Sequence, residues 1–319
     1  TNCEITFDRS KFAVSELVLF HIRNQIDYLP KRQFSTQRFV HIIYESPINC
    51  HLCDKFDINV FNYSASYRID SDYSSIYWSD SGLYWEFNET FDQNQNFSIG
   101  KKFGSAAIIS NCDLASSSTR NEFINELNKI HPVQIYGKCG SICPSNEDCE
   151  SYVANNYRFY LAFENSLCTD YITEKFFKWF NYNIIPVVRG YANYSYFIPK
   201  SGYINVFDFK TVQDLGNYLN YLTKNQTAYN EYFKWKKYVK TNYFEKKITE
   251  MGFLCEMCVQ LHLEDMTNTI KQKELKNLVD MFGLKQTCVK SNYDSISGNF
   301  KLENITQNIY SYFMSVEKY

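Results

Sequence analysis

The sequence predicts an α/β fold with a parallel sheet, built on more than one core. Between residues 105 and 188, short apolar runs alternate with helical periodicity, a β-α-β pattern that requires crossover connections and parallel strands. The 319 residues exceed what a single core usually organises. Hydrophobic residues make up 45% of the chain and charged ones 21%, enough to fill real cores and too apolar for a disordered chain.

Taken in order, residues 17–22 and 39–44 are short runs rich in β-branched and aromatic residues, and read as buried strands flanking the polar Pro30-Lys31-Arg32-Gln33. From residue 70 to about 104 the chain is rich in Ser, Asp and Asn and reads as surface loop or linker, placing a domain boundary near its end. Residues 105–110 form the next expected strand. Residues 121–130 carry Phe123, Leu127 and Ile130 at helical spacing, and 133–137 is the strand that follows. The clearest unit is strand 159–163, helix 171–180 with Asp170 as N-cap, and strand 184–188. On that helix Ile172, Phe176, Phe177 and Phe180 make the buried stripe, and Tyr171, Glu174, Lys175 and Lys178 share the other face. Beyond residue 255 helical periodicity continues through Leu275, Leu278, Met281 and Phe282, too apolar for a free tail. The expected domains are 1–104, 105–250 and a C-terminal extension, 251–319, that docks back on the body.

The 33 Lys+Arg against 35 Asp+Glu leave a net charge of -2, which gives no global attraction for nucleic acid or anionic membrane. Aromatic residues reach 18%, which suits sugar- or base-stacking clefts and plain cores equally. The 11 Cys, with sequons at Asn62, Asn88, Asn96, Asn193, Asn225 and Asn304, point to an oxidising secretory compartment, and the odd count leaves at least one thiol unpaired or intermolecular. No apolar run is long enough to span a membrane and no signal peptide is present, so a secretory protein would carry its anchor or signal outside this stretch.

Asp70-Ser71-Asp72 has the D-x-D form in which paired carboxylates hold a divalent ion against a diphosphate; hard cations call for more carboxylates than this, and no metal is expected. Cys50-x-x-Cys53 and Cys255-x-x-Cys258 have the spacing of zinc half-sites, whereas the sequons favour disulfides, with Cys139, Cys143 and Cys149 likewise structural. The five His lack H-E-x-x-H or a Cys or Ser partner, so zinc-protease and nucleophilic chemistries lose support. Lys175 falls near the start of a helix at the carboxyl edge of the expected parallel sheet, where open α/β folds bind ligands. A cation there is either a solvated lysine or the partner of an anion.

Tyr160-Leu161-Ala162-Phe163-Glu164-Asn165-Ser166, Asp170-Tyr171-Ile172-Thr173-Glu174-Lys175 and Pro186-Val187-Val188-Arg189-Gly190 together strongly resemble the signature of the α1,3-fucosyltransferase family. The likeness extends from about residue 39, through Glu45-Ser46-Pro47, 67–72, Ser110-Asn111, Arg120 and Tyr136-Gly137, to Cys255-x-x-Cys258. It departs at Ile76-Tyr77-Trp78, where the family usually has Pro-Tyr-Gly, and in a longer C-terminal extension.

The resemblance implies a GT-B architecture, two Rossmann-like domains facing a central cleft, with the acceptor glycan in the N-terminal domain and GDP-fucose in the C-terminal one. It implies inverting transfer of L-fucose from GDP-β-L-fucose to a glycan hydroxyl in α1,3 linkage, most naturally on GlcNAc of an N-glycan core or antenna. Glu45 would be the base; without the resemblance it reads as a surface carboxylate. Arg120 and Lys175 would hold the diphosphate without metal or other cofactor. Glu174, Tyr171 and Asn165 would bind ribose or fucose hydroxyls, Asn111 and Tyr77 belong to the donor pocket by carry-over, and Glu164 would contact the donor or brace its loop. The setting would be the Golgi lumen, with a type II anchor outside this stretch and no nucleic-acid partner. Rival readings are another acceptor linkage, another nucleotide sugar, and a glycan-binding relative without turnover.

Overall fold

The structure, a computed structural model, describes residues 3–22, 29–50, 60–74, 77, 83–112, 118–144, 147–241, 252–267, 287–294 and 299–304. The chain divides into two units, residues 1–80 with 244–288 and residues 81–243 with 289–319.

In the first unit, β1 (Leu17–His21), β2 (Arg38–Ile43) and β3 (Tyr63–Ser66) pair in parallel in that order. The central β2 is buried along its whole length, so apolar residues occupy both of its faces, interrupted only by the buried Arg38 and His41. The helix Gly252–Thr267 brings Phe253 and Met257 into a core with Val40, Ile42, Tyr63, Ala65 and Tyr73. A buried ion pair from Arg38 Nε to Glu264 Oε2 (2.7 Å), a hydrogen bond donated by the Tyr63 hydroxyl to the same carboxylate, and the Cys3–Cys258 disulfide fasten this helix to its sheet.

The second unit begins with β4 (Leu83–Trp85), β5 (Lys102–Ile108), α1 (Arg120–Asn128) and β6 (Val133–Tyr136). It continues through α2 (Cys149–Asn156), β7 (Tyr157–Phe163), β8 (Leu167–Cys168), α3 (Glu174–Phe177) and β9 (Ile185–Arg189). The remaining elements are β10 (Ile204–Asn205), α4 (Val212–Lys224), α5 (Gln226–Glu231), β11 (Val239–Thr241), β12 (Cys288–Asp294) and β13 (Asn299–Asn304). The main sheet runs β10-β9-β7-β5-β6 with every neighbour parallel. Counting its strands along the chain, the order is 2-1-3-4-5, a doubly wound arrangement whose topological switch point falls between the first and third strands, here β5 and β7. Side chains of β7 alternate by face. Phe159, Leu161 and Phe163 enter a core with Phe123, Ile124 and Leu127 of α1 and Leu215, Leu219 and Leu222 of α4, while Tyr160 meets Trp179 with ring centroids 3.7 Å apart.

The expected boundary at 104 moves to residue 80, because β4 pairs with β11 and Phe97 stacks on Phe233 at 4.4 Å, tying the polar stretch after residue 80 to the second unit. The expected C-terminal extension divides: Gly252–Thr267 lies in the first unit, whereas β13 pairs with β12 in the second. The helix expected over 171–180 is shorter. Asp170 adopts φ 61, outside the right-handed region, so it does not cap; Thr173 is the N-cap, and after Phe177 the backbone tightens into a 3-10 segment, Lys178–Asn181. Cys255 is a free, exposed thiol rather than the partner of Cys258. Cys112–Cys139 and Cys143–Cys149 are disulfides, as the structural reading of these cysteines expects. Cys53, Ile76, Trp78 and the periodicity of residues 275–282 lie outside the described residues.

Candidate functional site

The chemistry-bearing residues of the second unit gather at the carboxyl ends of β5, β7 and β9. Arg120, the first residue of α1, is 4% exposed. Its Nη2 donates to the carbonyl of Asn111, just past β5 (3.1 Å), and its Nη1 to that of Phe163, the last residue of β7 (3.4 Å). The guanidinium therefore bridges the switch point. Its Nε has no hydrogen-bond partner among the described residues, and burial lowers its pKa against the opposing charge of Glu164.

Glu164, one residue past β7, is fully buried. Its Oε1 accepts from the Thr173 N–H (2.9 Å), both oxygens accept from the Thr173 hydroxyl (3.0 and 2.9 Å), and Lys175 Nζ lies 3.4 Å from Oε2. Lys175 Nζ also donates to Thr173 Oγ1 (3.0 Å) and Glu174 Oε1 (3.1 Å). Burial raises the Glu164 pKa against the pull of Lys175. Burial also disfavours the Lys175 ammonium, but Glu164 and Glu174 outweigh it and hold its pKa above the usual lysine value. For Glu174, half-exposed at the surface, desolvation is overcome by Lys175, and the carboxyl stays below its ordinary range. Lys175 is thus a fixed, protonated ammonium.

Arg189 closes β9 and is entirely buried. It donates to the Ser118 carbonyl, to Ser291 Oγ (2.9 Å) and to Thr119 Oγ1 (3.4 Å), with its guanidinium 5.0 Å from the centre of the Phe123 ring. Burial brings its pKa down to about 9, with Glu122 opposing and Arg120 adding to the fall. The sequence reading assigned Arg189 no role; the available signal was a charged residue ending an otherwise apolar strand. Gly190 follows it, and a Cβ there would collide with the Tyr194 hydroxyl and meet Glu164 Cγ at 3.3 Å. Asn165 is half-buried with an Oδ1 that has no hydrogen-bond partner among the described residues, and the buried Tyr194 hydroxyl is in the same state. Tyr171 is buried in the loop before α3. Asn111 is exposed and serves here through its carbonyl.

Glu45 and Tyr77 lie in the first unit. Glu45 is half-buried two residues past β2, before the 3-10 turn Pro47–Asn49. The Tyr77 hydroxyl donates to the carbonyl of Tyr44 (2.8 Å), and the two rings meet edge-on at 5.9 Å. Tyr77 thus sits beside the chain leading into Glu45. Of the D-x-D pair, Asp72 Oδ2 accepts from the N–H and hydroxyl of Ser64 (both 3.0 Å), and Asp70 is held in a two-point fork by Arg68 (2.8 and 2.7 Å).

The protein is an α/β protein whose buried cations and unpartnered polar atoms lie at the switch point of a doubly wound sheet, the position where open α/β folds bind their ligands. A family model described as "Fucosyltransferase, N-terminal" matches residues 1–78, and one described as "Glycosyltransferase family 10 (fucosyltransferase) C-term" matches residues 99–278. The chain belongs to the family 10 fucosyltransferases. It is similar to the glycoprotein 3-alpha-L-fucosyltransferase A of Drosophila melanogaster, 32% identical over 278 residues, covering 82% of this chain and 51% of the relative. It is also similar to the alpha-(1,3)-fucosyltransferase fut-1 of Caenorhabditis elegans, 32% identical over 299 residues, covering 91% of this chain and 66% of the relative. The chain therefore spans from about half to about two-thirds of the length of these relatives. A crystal structure of an alpha1,3-fucosyltransferase with GDP is 19% identical at a TM-score of 0.47, covering 69% of each chain.

Proposed function

We propose that the chain transfers L-fucose from GDP-β-L-fucose to a glycan hydroxyl in α1,3 linkage, with inversion, and that GlcNAc of an N-glycan core or antenna is the acceptor. The observation that carries this reading is the Arg120–Glu164–Lys175 constellation at the switch point, in a chain whose relatives are named α1,3-fucosyltransferases. The donor is assigned to the second unit and the acceptor to the first, the division of labour of the GT-B class.

In this mechanism Arg120 meets the diphosphate as a fork of donors and Lys175 as a point charge. Negative charge on the diphosphate grows as the bond to fucose C1 breaks, so both cations count for more in the transition state than in the ground state. Glu164 and Glu174 keep Lys175 protonated and in place. Glu45 accepts the proton of the acceptor hydroxyl as its oxygen forms the new bond to C1, and the electron pair of the old C1–O bond leaves on GDP. Asn165, Glu174 and Tyr171 line the sugar end of the donor, with Asn111 shaping the loop. No metal takes part; that Asp70 and Asp72 are engaged by Arg68 and Ser64 supports this. The enzyme works in the Golgi lumen, anchored through a segment outside this stretch. No helix among the described residues is long and apolar enough to cross a membrane.

Glu45→Gln tests the reading. Turnover should fall by about 10²–10⁴-fold, the usual contribution of a general base, while GDP-fucose binding stays near wild type. A mutant that keeps most of its turnover with chemistry rate-limiting would assign the proton to another residue. Activity should also survive EDTA; a complete loss restored by Mn²⁺ would overturn the metal-free account.

A further inference from the structure

We infer that Asn88 is a site of N-glycosylation and that the innermost sugar of its glycan seats in the pocket beside it. The inference rests on the lumenal location proposed above. In the sequon Asn88-Glu89-Thr90, Asn88 Oδ1 accepts from both the N–H (3.2 Å) and the hydroxyl (2.8 Å) of Thr90, and its backbone N–H donates to Lys237 O (2.8 Å). The side-chain Nδ2 makes no hydrogen bond among the described residues. Asn225 differs, since its Nδ2 donates to the Tyr221 hydroxyl (3.0 Å) and its Oδ1 caps a helix through the Ala228 N–H.

Asn88 is itself one of the residues lining an open pocket of about 220 Å³, together with Phe91, Asp92, Gln95, Phe180, Asn183 and Lys236. Aromatic rings, side-chain amides, the Asp92 carboxylate and Lys236 together offer the ring contact and the hydrogen-bond partners that an N-acetylated sugar, with its C–H face and its hydroxyl and amide groups, uses. Beside the sequon, Trp85, Phe87 and Tyr238 are 57%, 53% and 57% exposed, an aromatic surface that a glycan rooted at Asn88 would cover. The pocket lies apart from the donor site. Asn183 follows the 3-10 segment after α3 and precedes β9, at the amino end of the strands, whereas Arg120 and Lys175 serve their carboxyl ends.

The modification requires a lipid-diphosphate-linked oligosaccharide as co-reactant. The Asn88 Nδ2–C1 bond forms, the C1–O bond to the lipid diphosphate breaks with its electron pair leaving on the diphosphate, and one amide proton is lost. After that step Nδ2 retains a single N–H, and Asn88 Oδ1 keeps its Thr90 partners.

The test uses the full chain secreted from a glycosylating eukaryotic host. Glycopeptide mass spectrometry reads occupancy at each sequon, and the rate of release of the Asn88 glycan by peptide N-glycosidase F is compared in native and denatured protein. The expected result is occupancy at Asn88, abolished by Thr90→Ala, with native release slower by about tenfold or more because the linkage is reached only through local opening. Gln95→Ala, which removes a wall amide that makes no side-chain hydrogen bond among the described residues, should keep occupancy and speed native release. An empty Asn88 in a chain glycosylated elsewhere overturns this inference alone. Absence of glycan from every sequon overturns the lumenal location and this inference with it. An occupied Asn88 released equally fast from native and denatured protein overturns the seating.

Discussion

Lys175 is held by two carboxylates of different character. Glu164 is wholly buried and bound to Thr173, so it is fixed in place; Glu174 is half-exposed and free to yield its share of Lys175 to an incoming diphosphate. Removing the fixed one leaves the Thr173 N–H and hydroxyl without their acceptor and Lys175 without its buried counter-charge. Glu164→Ala should therefore cost about 3–5 kcal/mol, the usual penalty for breaking a buried pair, read as a fall in melting temperature with no ligand present. Lys175→Ala and Arg120→Ala should weaken GDP binding by about ten- to a hundredfold each, the loss of one charged hydrogen-bonding partner, measured by calorimetry. Unchanged affinity in both would remove them from the diphosphate.

At the scale of elements, the loop from Glu164 to Thr173 is shaped by two backbone requirements. Asp170 sits in the left-handed region, which Asp and Gly tolerate and β-branched residues do not. Asp170→Val should be less stable than Asp170→Gly by about 1–2 kcal/mol in denaturant melts, with a matching loss of GDP binding as Thr173 and Lys175 shift. Gly190→Ala should be worse, because its methyl meets the Tyr194 ring end and the Glu164 stem, neither with room to retreat. These requirements were invisible in the sequence. Helical spacing of Ile172, Phe176 and Phe177 carried the expected helix back to residue 171, since periodicity does not register a single positive φ. The strands expected at 159–163 and 184–188, found as Tyr157–Phe163 and Ile185–Arg189, were legible as buried apolar runs, as were the parallel pairing and the carboxyl-edge position of Lys175. The three-residue pairing of β4 with β11 was not, because it joins segments far apart in the chain and leaves Trp85 exposed. Arg120 and Lys175 were marked by the resemblance to the family's motifs; Arg189 and Glu164 needed the fold to show what they touch.

At the scale of the whole molecule, stability should respond to alkaline pH through two interior lysines. Lys101 Nζ donates to the carbonyls of Ala154 (2.7 Å) and Asn183, and Lys236 Nζ to those of Phe180 (3.1 Å) and Tyr182 (2.5 Å) and to Asn183 Oδ1 (3.4 Å). Neither forms an ion pair among the described residues, and burial lowers both to about 7 from 10.5, with Lys236 adding to the fall at Lys101. Between those values the unfolded chain binds more protons than the folded one, so stability from these groups rises with pH from about 7 towards 10.5 and is least below 7. Melting temperatures across that window should climb in the wild type and climb less steeply in Lys236→Met, with Lys101 supplying the remaining slope, whatever the absolute stability of the variant. Reductant should lower the melting temperature, each native disulfide contributing about 2–5 kcal/mol.

The helix Gly252–Thr267 covers a sheet begun at Leu17, and this imposes an order of events on synthesis. Cys3 waits for a partner 255 residues downstream. At the usual 5–20 residues per second a ribosome needs roughly 13–50 s to close that gap. Throughout it Val40, Ile42 and Tyr63 lack Phe253 and Met257, and the Cys3 thiol is open to exchange with the second unit's cysteines as they emerge. The strands of the main parallel sheet, all contained between Lys102 and Asn205, leave the ribosome earlier and need nothing from the end of the chain to pair. Of the two units, the one whose strands emerge first is thus finished last, and a chain stopped short of Gly252 would keep the pairing of the main parallel sheet while leaving Val40, Ile42 and Tyr63 without Phe253 and Met257.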